Sequence, residues 1–231
     1  MTHNKTGDEE GADSRLVLAS LLVARLCHEL SGALGTVLTA TQIAAEAAGG
    51  SESGAEALPL AADAAVQLAR RLRLLRAAWG NAGAAQSVAE FRKLAEGLPG
   101  RRLRLELRDV DRAETFAAGA VQVMLNLLLL AAESLPAGGE IVLSGQPRGT
   151  MVLAIAGPHA AWPAGLAGCL VEPSEAWRQL EAAGVATVAA VRGVQAPLAA
   201  LVAHRHAARV ALLMGAQPHA AAPLAINLSA T

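Results

Sequence analysis

Between Ser14 and Ala48 the chain runs without a proline, and Leu16, Ala19, Val23, Leu26, Leu30, Leu34, Val37, Thr41 and Ala44 fall on one side of a helical wheel. That spacing predicts one long amphipathic helix. The stretch "GGSESGA" at 49–55 interrupts it, and a second helix is expected from Glu56 to Trp79, with Leu68, Leu72, Leu75 and Trp79 aligned. Together they make a helical hairpin over residues 14–80. A lone hairpin leaves part of its apolar surface in water, so a symmetric partner chain is expected to complete a dimeric four-helix bundle.

Beyond "GNAGAA" at 80–85, which reads as a linker, the pattern changes. A helix is expected over Gln86–Glu96. "RRLRLELR" alternates Leu103, Leu105 and Leu107 with charged residues, as a half-buried strand does. A helix over Thr115–Leu135 follows, then "EIVLSG" and "TMVLAIAG" as a β-hairpin, helices near Glu175–Ala183 and Gln195–His204, and strands at "ARVALLM" and "LAINLS". The fold class is α+β: a helical hairpin followed over 86–231 by a two-layer α/β sandwich with mostly antiparallel strands.

The 231 residues are 53% hydrophobic, enough for a substantial core, and the formal net charge of -1 gives no global pull toward nucleic acid or an anionic membrane. Tyrosine is absent and Phe and Trp are few, so stacking platforms for single-stranded nucleic acid are missing. Cys27 and Cys169 lack the spacing of a disulfide framework or a zinc cluster. Residues 1–13 carry no apolar signal segment and read as a disordered tail. The most apolar window, Ala120–Ala132, is about 13 residues long, short of the roughly 20 that a membrane helix needs. A soluble, cytoplasmic protein is expected.

Within the first helix, "LCHELSGALG" at 26–35 places a histidine, a glutamate and two glycines in a segment that leucine and alanine would stabilise better. Each interior glycine costs roughly 1 kcal/mol relative to alanine. On the wheel, Leu21, Ala24, Gly32, Gly35 and Thr39 lie nearest His28, with Ser31 and Arg25 slightly further round, opposite the apolar stripe. His28 is therefore expected to point outward among small residues, either for access by another protein or because small residues let helices pack closely.

The surrounding letters narrow the chemistry. "HELSG" has Gly32 where a metalloprotease helix needs its second histidine, and no G-x-S-x-G nucleophile elbow occurs. His204 and His206 lack a third metal ligand nearby. A nucleophilic histidine remains, since a neutral imidazole offers a lone pair near neutral pH. Glu29 is expected to take the proton of the other ring nitrogen and to stabilise a phosphohistidine. With "CHEL" at 27–30 in the first helix of a hairpin that precedes an α/β domain, the chain resembles the ChpT-type histidine phosphotransferases. More distantly it resembles the dimerisation and phosphorylation domain of sensor histidine kinases, whose polar residue and proline after the leucine are here Ser31, Gly32 and Ala33.

The resemblance implies that the second domain is a degenerate relative of the Bergerat-type kinase ATPase domain. In "AVQVMLNLLLLAAESL", Asn126 matches one asparagine of the nucleotide box, but Gln122 replaces its acid and Leu130 a further asparagine. Losing the carboxylate removes a hard oxygen ligand for Mg²⁺. "GPHAAWPAG" stands where an aspartate and close glycines would hold nucleotide. No cofactor is expected on this chain, and Mg²⁺ is expected on the partner. The partners implied are receiver domains of a hybrid histidine kinase and of response regulators, and the chain itself as a homodimer, without nucleic acid or membrane. Leu22, Arg25, Ser31, Gly32, Gly35, Thr36 and Thr39 on the first helix, and Arg70, Arg73 and Arg76 on the second, are the candidate docking residues. An active kinase and a non-catalytic dimeric scaffold are the alternatives.

Overall fold

The computed structural model describes residues 5–46, 52–81, 83–100, 102–183, 191, 193–214 and 219–229. Two long antiparallel helices, α1 (Lys5–Glu46) and α2 (Glu52–Trp79), form the hairpin. Of the interruption expected at 49–55, residues 49–51 lie outside the described residues, while 52–55 already belong to α2. Helix α1 starts inside the stretch that composition marks as a disordered tail. Its N-terminal part gains tertiary support: the Ser14 hydroxyl donates to Glu181, and Leu21 is fully buried against Leu180 and Val194.

The remaining chain forms β1 (Gln86–Ser87), α3 (Val88–Ala95), β2 (Leu103–Arg108), β3 (Thr115–Phe116), α4 (Ala118–Glu133), β4 (Gly139–Gly145) and β5 (Thr150–Ala156). After these come α5 (Leu166–Val171), α6 (Pro173–Ala183), α7 (Gln195–Arg205), β6 (Arg209–Leu212) and β7 (Leu224–Asn227). Five strands pair in the order β2-β4-β5-β7-β6. The expected antiparallel pairing holds for β4-β5, β5-β7 and β7-β6, whereas β2 and β4 run parallel because the connection through α4 returns the chain in the same direction. Ile141, Leu143, Met151, Leu153, Ile155, Leu224 and Ile226 bury one sheet face against the helices. Helix α5, six residues long, is too short for its periodicity to show in sequence.

Helix α4 decides the packing. Every residue from Gly119 to Ala132 is buried, so no side of the helix is free for water. The sheet and α7 cover it in part, and the C-terminal half of α2 covers the rest. Leu74, Leu75 and Ala78 belong to the same core as Leu125, Leu128 and Leu129, so the hairpin and the α/β part share one hydrophobic interior.

Polar groups fix the register of that contact. Asn126, fully buried, donates through Nδ2 to the Ala78 carbonyl at 2.8 Å and to the Gln122 carbonyl at 2.9 Å, and Gln195 Nε2 donates to the Asn126 carbonyl at 2.9 Å. Gln122 donates to the Gly80 carbonyl at 2.6 Å, and its Oε1 meets His206 Nε2 at 2.7 Å. The loop after α3 approaches as closely: a Cβ on Gly97 would stand 2.4 Å from the Arg70 carbonyl oxygen and 2.8 Å from the Leu74 Cβ. Nearby, Ser87 and Glu90 form a capping box at α3, and the bonds from Ser87 hold the Glu90 carboxyl below the usual range.

Among the described residues the longest apolar helix is α1, not the 120–132 window: Asp13–Glu46 is long and apolar enough to cross a membrane. Arg25 and Glu29 lie near the middle of that span, each ion-paired to another element. Charges at the centre of a bilayer are costly, and the packing of α1 on α2 and α6 is that of a bundle helix.

Three substitutions test the shared interior by urea unfolding. Gly97→Ala is expected to cost about 1–3 kcal/mol through overpacking against the α2 backbone, while Gly83→Ala, whose Cβ meets nothing within 4 Å, changes stability by less than about 0.5 kcal/mol. Asn126→Leu is expected to cost about 1–3 kcal/mol by stranding its partners.

Candidate functional site

His28 is exposed on α1 at the rim of a cleft of about 910 Å³ between the hairpin and the α/β part. Arg25 and Glu29 line the hairpin side of the cleft. Arg102, Leu103, Glu133, Leu135 and Pro163 line the other. Toward the hairpin tip, Ser31, Gly32, Gly35, Thr36 and Thr39 are all exposed, as the wheel requires. Among the described residues a Cβ on Gly32 or Gly35 would meet nothing within 4 Å, so there neither glycine serves close helix packing. The Ser31 hydroxyl donates to the Cys27 carbonyl at 2.7 Å and the Thr36 hydroxyl to the Gly32 carbonyl at 3.3 Å, which folds both side chains against the helix. The surface beside the imidazole is flat and nearly free of bulky side chains.

Toward the other end of α1 the wheel fails. Leu21 and Arg25, expected to face outward with His28, are 0% and 3% exposed, and Leu22 is half-buried. The reason is tertiary: α6 and the end of α4 fold over this part of α1, which a wheel for an isolated hairpin cannot include. Arg25 pairs with Glu133 at the end of α4, and its guanidinium lies 5.5 Å from the centre of the Trp79 ring. Burial lowers the Arg25 pKa to about 10, against the opposing pull of Glu29. As a docking residue on the open face, Arg25 is withdrawn.

Glu29 also differs from expectation. Its carboxylate is taken by Arg71 of α2, with Arg71 Nε at 3.1 Å and Nη2 at 3.0 Å from Oε2. Arg71 is 7% exposed, and burial, the largest cause, lowers its pKa while Glu29 opposes the shift. In the structure the Glu29 carboxylate thus stands in a helix-to-helix ion pair. Arg71 escaped the sequence reading. Its signal was an arginine one turn before Leu74 and Leu75, on the apolar face, where a cation needs a buried partner.

Arg71 meets Glu29 and Trp79 meets Arg25, so His28 is level with the segment of α2 that holds Arg73 and Arg76, as folding the hairpin near residue 52 predicts. Arg73 and Arg76 are exposed. Arg70 is half-buried and pairs with Glu96 at 3.5 Å. His204 and His206 do not converge: His204 Nε2 lies 3.0 Å from the Cys169 carbonyl, while His206 is bound to Gln122. The stripe expected to form the hairpin core is partly open, with Leu16, Val23 and Leu34 exposed on α1 and Leu72 on α2.

The chain is similar to a bacterial phosphotransferase whose structure is known, at a TM-score of 0.66 and 18% identity, covering 92% of this chain and 95% of that one. That likeness shows the fold. Weaker similarities reach the histidine kinase domain of a blue-light-activated kinase from Erythrobacter litoralis (TM-score 0.39, 11% identity, 87% and 94% coverage) and a histidine kinase from Burkholderia phymatum (0.35, 17%, 99% and 100%). At TM-scores below 0.5 neither bears on function. No curated protein matches the chain significantly. The family profile described as the histidine phosphotransferase C-terminal domain matches residues 88–217, more than half of the sequence. With that match following a hairpin that presents a single exposed histidine among glycines and serine, the chain belongs to the histidine phosphotransferase family.

Proposed function

We propose that the protein relays phosphoryl groups between receiver domains through His28, taking the group from an aspartyl phosphate of a hybrid histidine kinase and passing it to the aspartate of a response regulator. The observation that carries this reading is the placing of His28: exposed, flanked by open Gly32 and Gly35, with the charges beside it engaged elsewhere.

In the first step the lone pair of an imidazole nitrogen attacks phosphorus, the N–P bond forms, and the P–O bond to the aspartyl carboxyl breaks. The electron pair leaves with the carboxylate, and the ring keeps its proton on the other nitrogen. The second transfer reverses this sequence on a new aspartate. Such transfers demand in-line positioning and charge stabilisation more than covalent help from side chains. Glu29, held by Arg71, is therefore assigned to positioning rather than to proton transfer. Mg²⁺, which favours hard oxygen ligands, is supplied by the receiver. Ser31, Gly32, Gly35, Thr36 and Thr39 form the docking face, and exposed Arg73 and Arg76 steer an acidic receiver toward it.

In this reading the chain does not use ATP. Gln122 and Asn126, which stand at the positions of a kinase nucleotide box, spend their side-chain hydrogen bonds on α2, α7 and His206. Exposed Leu16, Val23, Leu34 and Leu72 support a homodimer that closes a four-helix bundle, and the protein works in the cytoplasm.

Mixed with receivers carrying aspartyl phosphate, the wild-type chain is expected to acquire acid-labile phosphate within minutes and His28→Ala to acquire none, measured by radiolabel transfer. Autophosphorylation from Mg-ATP would sink the relay reading. Light scattering is expected to give the mass of a dimer for wild type and of a monomer for the double variant Leu34→Glu, Leu72→Glu.

A further inference from the structure

Beside the cleft, the rotation of α1 about its own axis is fixed by two contacts. Arg25, three residues before His28, reaches Glu133 and lies over Trp79; Glu29, the residue after His28, is gripped by Arg71. At about 100° per residue, Arg25 and Glu29 stand about 60° and about 100° round the helix from His28, on the same side. Both grips act on one face of α1. His28 lies just past the edge of that face, over the cleft.

Of the two grips, the one at Glu29 is adjacent to the nucleophile and joins three parts of the molecule. The Arg71 side chain is 9% exposed, starts from α2, donates from Nε to Glu29 Oε2 on α1 with Nη2 at ion-pair distance, and brings Nη1 to 3.4 Å from the Gly97 carbonyl. Gly97 belongs to the loop that lies on α2 too closely for a side chain, and the neighbouring Glu96 pairs with Arg70. The anchor of Arg71 is thus itself immobilised. Removing Glu29 would leave the buried Arg71 guanidinium uncompensated, which keeps the two together.

We propose that Arg71 is a positioning residue for phosphoryl transfer at His28: by gripping Glu29 it fixes the direction in which the imidazole meets an incoming receiver. The inference rests on the reading of His28 as a phosphoryl carrier. Arg71 touches neither phosphoryl group nor imidazole. It acts through the angle of α1, and an in-line transfer between two docked proteins is sensitive to such an angle, a misplacement of about 1 Å costing about 100-fold in rate.

The test uses the full chain with two phosphodonors: phosphoramidate, small enough to approach from any direction, and a phosphorylated receiver domain, which docks in one orientation. For transfer from the receiver, Arg71→Met is expected to lower kcat at least about tenfold and to leave KM within about twofold, while labelling of His28 by phosphoramidate stays within about twofold of wild type. Arg71→Lys, which keeps the charge but not the Nε hydrogen bond, falls between. The reversed pair Glu29→Arg, Arg71→Glu recovers most of the rate. A receiver rate for Arg71→Met equal to wild type overturns the positioning role alone, and an equal loss with phosphoramidate overturns it in favour of a direct effect on the imidazole or on folding. Failure of the charge reversal to recover any rate also counts against it. A wild-type chain labelled by phosphoramidate but by no receiver overturns the carrier reading, and the positioning role with it.

Discussion

A helix that is apolar on every side must be covered on every side, and α4 imposes that demand on the whole molecule. The sheet can shield only part of it. The rest falls to α7 and to Leu74, Leu75 and Ala78 of α2, and this brings the hairpin against the α/β part as a structural necessity rather than as a loosely linked neighbour. Burying a leucine side chain contributes roughly 1.5–3 kcal/mol, so the run from Leu125 to Leu130 makes this contact dominant over the polar ties around it. Those ties choose among the ways of making the contact: Asn126 and Gln122 each find a carbonyl at the end of α2, and sliding α2 by one turn would strand both.

The arrangement of His28 follows from the same constraint. Once α2 is seated on α4, the end of α4 stands beside α1, and Glu133 becomes available to Arg25. Helix α6 then lies over the N-terminal part of α1, while beyond His28 no element among the described residues covers the face that holds Gly32 and Gly35. One helix face is thus divided at the histidine, half buried under the α/β part and half open. The division gives the imidazole a wall on one side and a flat approach on the other, a geometry that suits the proposed transfer from a docked protein.

Much of this was legible in advance. The two long helices, the α3 segment, the β4–β5 hairpin and α7 carry their periodicity on short-range spacing, and the exposed neighbours of His28 at positions 31–39 follow from the wheel alone. What escaped was everything that depends on distant segments. Arg25 and Leu21 share the wheel angle of His28, yet they are buried because α4 and α6 arrive there. Glu29 looked like the natural partner of the neighbouring imidazole, but Arg71 is 42 residues away in sequence and 3.0 Å away in space. Leu16, Val23 and Leu34 looked like core, and within one chain they face water.

The sequence by itself determined the elements, the outward histidine and its small-residue surroundings, because helical period and glycine content are local properties of the chain. Only the tertiary structure decided which charges are paired, which half of the His28 face is open, and that the hairpin and the α/β part share a single core. Those outcomes depend on which distant surfaces meet, and that is settled by burying α4 on all sides, a balance no local window of residues contains.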